Sequence, residues 1–349
     1  MKPYFIRVAE QSPTMFWINN PTRRQADLAL ENGALGCTNN PSYTQKMLDH
    51  PEEHDYALKF LDEAIAETDN DWEAAEIFQR KMVKPIAEKF MPLFEKSGGE
   101  HGYVSIQGDP INEDDPEVVI RDAIANRKVG PNICCKIPTT TSGLVAIEAM
   151  VEAGIPINAT EIFGVSQFTH ICETYSRVSQ KSGHKPRFYM SHIAGIYDDY
   201  LGNYVKEHNV EISPDVLHQA GLAVARKVYE MMTARNYACV FIGGGARGLH
   251  HFTEMVGGKV CITINWEGAA DKLIEQNPPV VYRLFNPVPE KVIAELTEKL
   301  PDFKRGYLED GLEPEEFEYF GPVQLFRSMF VKSWTRAIET IKERRAVLA

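Results

Sequence analysis

Eight short apolar runs, separated by segments of helical length, limit what this chain can fold into. They are Met15–Asn19 (MFWIN), Ala34–Asn39 (ALGCTN), Gly102–Gln107 (GYVSIQ), Asn132–Pro138 (NICCKIP), Pro156–Phe163 (PINATEIF), Arg187–Ile193 (RFYMSHI), Ala238–Gly244 (ACVFIGG) and Lys259–Asn265 (KVCITIN). Between them lie amphipathic patterns such as SGLVAIEAMVEAG and PDVLHQAGLAVARKVYEMMTARN. Consecutive parallel strands need a crossover of about that length, so the alternation predicts a parallel sheet. Eight such units in roughly 270 residues match a closed (β/α)8 TIM barrel. The barrel is expected over residues 1–285, with a helical insertion around 51–96 between the second and third strands. After Pro279 the alternation stops, and PEKVIAELTEKL and PVQLFRSMFVKSWTRAIETIKERRAVL read as helices. Residues 286–349 are therefore expected to form a helical extension packed on the barrel.

The fourth run carries a lysine, Lys136, near its carboxyl end. In such barrels, residues at the carboxyl ends of the strands point into the active site. Burial disfavours the ammonium form, and moving a lysine from about 10.4 to about 7 costs roughly 4–5 kcal/mol of differential solvation. That expense yields a neutral amine able to attack a ketone or aldehyde and form a Schiff base. A lysine whose stem lies on apolar surface while its head reaches water, or one paired with a carboxylate, is the plainer alternative.

Bulk properties exclude several function classes. The formal net charge of -12 argues against general binding to nucleic acid or to an anionic membrane surface, so an anionic substrate would need a local positive pocket. The first residues lack a signal-like apolar core, and no later stretch reaches the ~18 apolar residues of a span. The six cysteines form no CxxC pair and read as reduced core residues. A cytoplasmic location is the expectation.

The stretch CCKIPTTTSGLVAIEAMVEAGIPINATEIFGVSQ closely resembles the transaldolase family. Lys136 and Gly143 stand where that family has the first and last residues of its K-[IL]-P/A-x-T-x-x-G stretch. Gly154, Asn158, Thr160, Phe163 and Gln167 follow at the family's spacing. GCTNNPSY resembles its second-strand motif, with Asn40 at the asparagine, and VFIGGGARGLHHFTEMVGGKVCITI resembles its seventh and eighth strands. The likeness runs from about residue 14 to about residue 270.

This resemblance implies a class I enzyme that splits a ketose between its third and fourth carbons. The lysine holds a three-carbon dihydroxyacetone unit and passes it to an aldehyde acceptor, with no metal or organic cofactor. Thr160 and Gln107 fall where the family places a water for proton transfer, Gln107 replacing a glutamate found in many members. Asn40, Asn158 and Ser191 would hold substrate hydroxyls, and Arg247, after a glycine run at the start of a predicted helix, would take a distal anion. An asparagine before proline, as at Asn40, is also a common turn residue. The family's phosphorylated or otherwise anionic sugars are the expected substrates, and association into a homo-oligomer is possible.

Four departures from the family pattern bear on the chemistry. Asn19 replaces the aspartate that handles the proton of the fourth-carbon hydroxyl, and an amide cannot do that near neutral pH. Ile196 replaces a phosphate-binding arginine and Gly245 a phosphate-binding serine. His192 stands where the family has proline. His192 is the expected substitute acid–base group, since imidazole titrates near neutral pH. Tyr197 and Glu161 are alternatives, although Glu161 would face away from Thr160 on a regular strand. The distal end of the substrate could be sulfonated, unphosphorylated, or a phosphate held differently. Release of the three-carbon unit to a proton would make the enzyme an aldolase.

Two readings from other classes compete. GGGARG, after an apolar strand and before a helix, satisfies G-x-G-x-x-G with Glu267 about 20 residues on, which suggests an NAD-dependent oxidoreductase. A non-catalytic sugar-binding barrel is the other, because both acidic positions of the family are amides here. His250–His251, and His170 with Cys172, lack zinc-type partner spacing and read as helix-surface or packing residues.

Overall fold

The computed structural model describes residues 2–348. All eight runs are strands: β1 Met15–Asn19, β2 Gly36–Asn39, β3 Tyr103–Gln107, β4 Ile133–Pro138, β5 Ile157–Ile162, β6 Phe188–His192, β7 Val240–Gly243 and β8 Val260–Ile264. Each pairs in parallel with the next, and β8 closes on β1 with Met15 opposite Cys261 through Ile18 opposite Ile264. The result is a closed (β/α)8 barrel.

Helix α1 (Tyr4–Gln11) packs on the outside of β1, with the Phe5 and Phe16 rings stacked at 4.0 Å. The barrel helices are α2 (Arg23–Glu31), α6 (Pro116–Arg127), α7 (Thr141–Glu152), α8 (Val165–Ser182), α9 (Ala194–His208) and α11 (Ala220–Ala234), with a short α10 (Pro214–Leu217) before the last. Between β2 and β3 come α3 (Tyr43–Asp49), α4 (His54–Glu67) and α5 (Asp71–Lys96), so the insertion holds two helices within residues 51–96. Helix α12 (His250–Thr253) has four residues, and α13 (Asp271–Gln276) follows β8. The extension comprises α14 (Glu290–Lys299), α15 (Pro301–Tyr307) and the long α16 (Gly321–Leu348).

Local chemistry sets several of these starts. Thr22 and Gln25 form a capping box at α2, and the Thr140 side chain accepts the Gly143 N–H at α7. Asp115 caps α6 just before Pro116, whose missing N–H costs nothing in the first turn.

At its amino end the barrel is filled by Trp17, Tyr103, Cys134, Tyr189, Ile242 and Cys261. Gly36 completes this layer, because a Cβ there would lie 2.4 Å from the Trp17 ring. The second core lies between the sheet and its helices. Helix α16 crosses the carboxyl-end mouth and is tied down by Arg344 on Asp62, Arg345 on Asp71 and Arg336 on Asp49. No helix among the described residues is long and apolar enough to cross a membrane.

Candidate active site

Period-two alternation carries the inward face of each strand from the apolar plug to polar side chains at the carboxyl end. On β4 this sequence is Cys134 then Lys136, and on β6 it is Tyr189 then Ser191. Lys136 is 6% exposed and forms part of the floor of a cleft of about 220 Å³. Asn19, Asn20, Thr38, Asn40, Ser42, Ser191, Thr263 and Asn265 line the cleft, with Lys46 and Arg247 as its outer cations. Phe326, Met329 and Phe330 of α16 close it from above, the Phe330 ring centroid 5.9 Å from the lysine nitrogen. Burial lowers the Lys136 pKa to about 8, against the opposing pull of the Glu161 carboxylate.

Hydrogen bonds fix the surrounding side chains. Ser191 donates to Asn158 at 2.8 Å, and Asn158 donates to Ser105 at 3.5 Å. Thr38 donates to the Asn19 carbonyl at 2.8 Å, and the Asn19 amide donates to Asn265 at 2.9 Å across the β1–β8 seam. The Asn40 carbonyl accepts from the Asn20 amide and the Ser42 N–H, so it is committed to the turn. Lys46 donates to the Asn20 carbonyl at 2.8 Å, and burial lowers its pKa. Sequence reasoning missed Asn20, Lys46, Thr263, Asn265 and the α16 aromatics. Asn20, Thr263 and Asn265 lie at or next to recognised strand ends, which was the available signal, whereas Lys46 lies on α3 and carried none.

Strand β5 holds an extra residue. Ala159 pairs with Met190 but Ile162 pairs with His192, so three steps on β5 match two on β6. Glu161 sits in this bulge at φ 62°. The alternation that would turn it outward is broken, and its carboxylate accepts from the Gln107 amide at 2.9 Å inside the barrel. It is fully buried, and desolvation pushes its pKa up to about 7 against the pull of Gln107, Lys136 and Arg327. Thr160 is buried at the same level, with Pro138 of β4 as its register partner.

Two expected acid–base residues lie elsewhere. His192 follows inward Ser191, so it faces out of the barrel, with its ring stacked on Phe241. It is fully buried beside Leu222 and Met255, and burial lowers its pKa to about 3. Tyr197 is buried between Phe163 and Phe320 and donates to the Asp302 carbonyl at 2.6 Å. Neither lines the cleft, and both point away from Lys136 and its neighbours. Gln107, Asn158, Thr160 and Glu161 lie beneath the cleft lining, inside the barrel on the strands that flank β4.

Arg247 does line the cleft, its Nε donating to Asp199 at 2.5 Å. The expected helix start beyond it is only the four-residue α12, which supplies no helix terminus for an anion. Gly245 (φ 67°) permits close approach instead, since a Cβ there would fall 2.5 Å from Ile193. The dinucleotide reading fails on architecture. A closed barrel has no sheet crevice at which strand order reverses, and no long helix follows GGGARG. Among the described residues, one group has donor atoms close enough for a metal: Asp198, His250 and His251, within 4.8 Å of one another. Asp198 is the partner that spacing along the chain could not show. His251 is already engaged at both nitrogens, to Asp198 at 3.0 Å and to the Arg247 and Gly248 N–H groups at 3.3 Å, so it fastens the β7 loop to α9.

A family model described as transaldolase/fructose-6-phosphate aldolase matches residues 16–298. Transaldolases of Mycobacterium ulcerans and Mycobacterium tuberculosis are each 31% identical, over 204 and 207 residues, covering 56% of this chain and 54% of theirs. Transaldolase 1 of Streptomyces avermitilis is 30% identical over 167 residues, 46% of this chain and 43% of its own. The chain spans about half the length of the curated relatives it matches. With the barrel closed in chain order and the family's profile matched across it, the chain belongs to the transaldolase/fructose-6-phosphate aldolase family.

Proposed function

We propose that this protein is a Schiff-base enzyme of transaldolase or aldolase type, acting on a ketose through Lys136. The observation that carries the reading is a single buried lysine on the floor of an amide- and hydroxyl-lined cleft, its pKa lowered to about 8. Near neutral pH a useful fraction of its nitrogen carries a free lone pair. That lone pair adds to the ketose carbonyl carbon, and loss of water leaves an iminium. The bond between the third and fourth carbons then breaks, its electrons neutralising the iminium as an enamine. The fourth-carbon hydroxyl loses its proton and departs as an aldehyde. The retained dihydroxyacetone unit attacks an acceptor aldehyde in a transferase, or takes a proton and is hydrolysed in an aldolase.

Asn40, Asn158 and Ser191 hold hydroxyls in this scheme, and Thr160 with Gln107 orients a water. Asn19 binds but cannot move a proton. Arg247, shared with Asp199, receives the distal end, where Ile196 and Gly245 supply no charge. The working unit joins the barrel, residues 1–285, to the extension, 286–349, because α16 supplies the cleft's cover. Borohydride reduction with phosphorylated, sulfonated and neutral ketoses, followed by peptide mass spectrometry, tests the reading. A ketose-derived mass on Lys136, absent from Lys136→Met, is expected. An unmodified Lys136 with every ketose overturns it.

A further inference from the structure

Five non-glycine residues have positive φ among the described residues, and four are asparagines, which adopt that region readily. The fifth is Glu161. A glutamate held there and fully buried is a conformation that local preference opposes and that its surroundings must enforce.

The bulge brings Glu161 to Gln107, and three buried oxygens on these two strands have no hydrogen-bond partner in the protein. These are Glu161 Oε2, Gln107 Oε1 and Thr160 Oγ1. Gln107 is the register partner of Lys136 on the neighbouring strand, so the carboxylate that its amide holds lies one strand from the lysine. Four charged groups bear on the site from the elements packed around it: Lys136 on β4, Glu113 and Asp109 in the β3–α6 segment, and Arg327 on α16. Gln107 donates one amide proton to Glu161 and is itself unable to exchange protons with substrate.

We infer that Glu161, turned inward by the β5 bulge, is the acid–base residue of imine formation and hydrolysis. This rests on Lys136 being the nucleophile. When the lysine nitrogen has added to the ketose carbonyl, a carbinolamine hydroxyl must leave. The Glu161 carboxyl gives it a proton, the carbon–oxygen bond breaks, and water departs. The nitrogen lone pair forms the carbon–nitrogen double bond, leaving an iminium and a Glu161 carboxylate. In hydrolysis the carboxylate takes a proton from the attacking water. The carboxylate missing from β3, where Gln107 stands, is thus supplied by β5, and the Gln107 amide fixes its orientation.

The test follows the borohydride-trapped adduct of Lys136 with dihydroxyacetone, in single turnovers read by intact mass, across pH 5 to 10. The proteins are full-length wild type, E161Q, and the swap E161Q/Q107E. Adduct formation in E161Q is expected to slow by about 100-fold at unchanged fold, and the swap to recover at least about tenfold of that loss. Removing the carboxylate also removes the charge that favours the ammonium form of Lys136. A purely electrostatic role for Glu161 therefore predicts faster addition and an alkaline limb moved to lower pH. An E161Q rate within about threefold of wild type, or above it, overturns the inference. A wild type that traps no adduct overturns the Lys136 reading, and this inference with it, by a distinguishable result. Should E161Q fail to fold, E161N, whose side chain tolerates the left-handed backbone, faces the same rate criterion.

Discussion

Glu161 and Lys136 carry opposite burdens, and both leave a mark on pH dependence. Because addition needs the free amine of Lys136 and loss of water needs the protonated carboxyl of Glu161, trapping of any accepted ketose should pass through a maximum between about pH 7 and about pH 8 and fall on both sides, measured as initial rates of adduct mass. For Glu161 the folded value is raised from 4.5. Below pH 4.5 the carboxyl is protonated folded or unfolded and burial costs nothing; above about 7 it is charged in both and the cost is complete. A shift of that size corresponds to about 3 kcal/mol. E161Q should therefore be more stable than wild type by about 3 kcal/mol at pH 9, where Lys136 is largely neutral, and no different near pH 4.5. Urea melts at the two pH values check this; equal stability at pH 9 would mean that the network fully compensates the buried charge. Lys136 was legible because an ammonium at the end of an apolar run conflicts with its surroundings. Glu161 was read as an alternative that would face away from Thr160, because a bulge adds one residue that no pattern of apolar positions announces. The misreading of His192 was avoidable: Ser191 and His192 are adjacent on one strand, so only one of them could face the cleft.

At the scale of elements, the cover helix is the least expected part. Arg327 of α16 donates to the carbonyls of Pro110 and Ile111 at 3.2 Å, bonds Asp114, and pairs with buried Glu113 at 3.1 Å. Desolvation and the Glu161 carboxylate hold Glu113 well above the usual carboxylate range. Arg327→Met would remove its cation, raising that value further and costing about 3 kcal/mol wherever the folded Glu113 is charged. The loss should fade as the pH falls and Glu113 takes up a proton in the folded state. A loss that did not vary with pH would assign the effect to the backbone bonds alone. The same variant should raise KM more than it lowers kcat, because it loosens the lid and leaves the lysine in place. All eight strands were legible, since strands buried on both faces read as continuous apolar runs. Helix α1 is only two turns long and went unread. That the final helix crosses the mouth could not be read either, because its apolar stripe specifies burial without specifying a partner.

For the molecule as a whole, burial governs the thiols. All six cysteines are free, five are buried, and burial raises the pKa of each of those five. Cys239 alone is partly exposed. Native titration with a thiol reagent should therefore label about one group per chain, at Cys239, and all of them after unfolding. Rapid native labelling of two or more would mean that the barrel opens on the timescale of the reagent. The closing seam has a consequence of its own. Asn19 meets Asn265, and Thr38 meets Thr263 at 2.7 Å, so the join between first and last strand is also a wall of the cleft. On the proposed function, a sugar would find its full set of contacts only after the most distant parts of the chain have met. During refolding, binding competence should thus appear with the slowest long-range step rather than with early helix formation, and a bound ketose should hold the ring shut against unfolding.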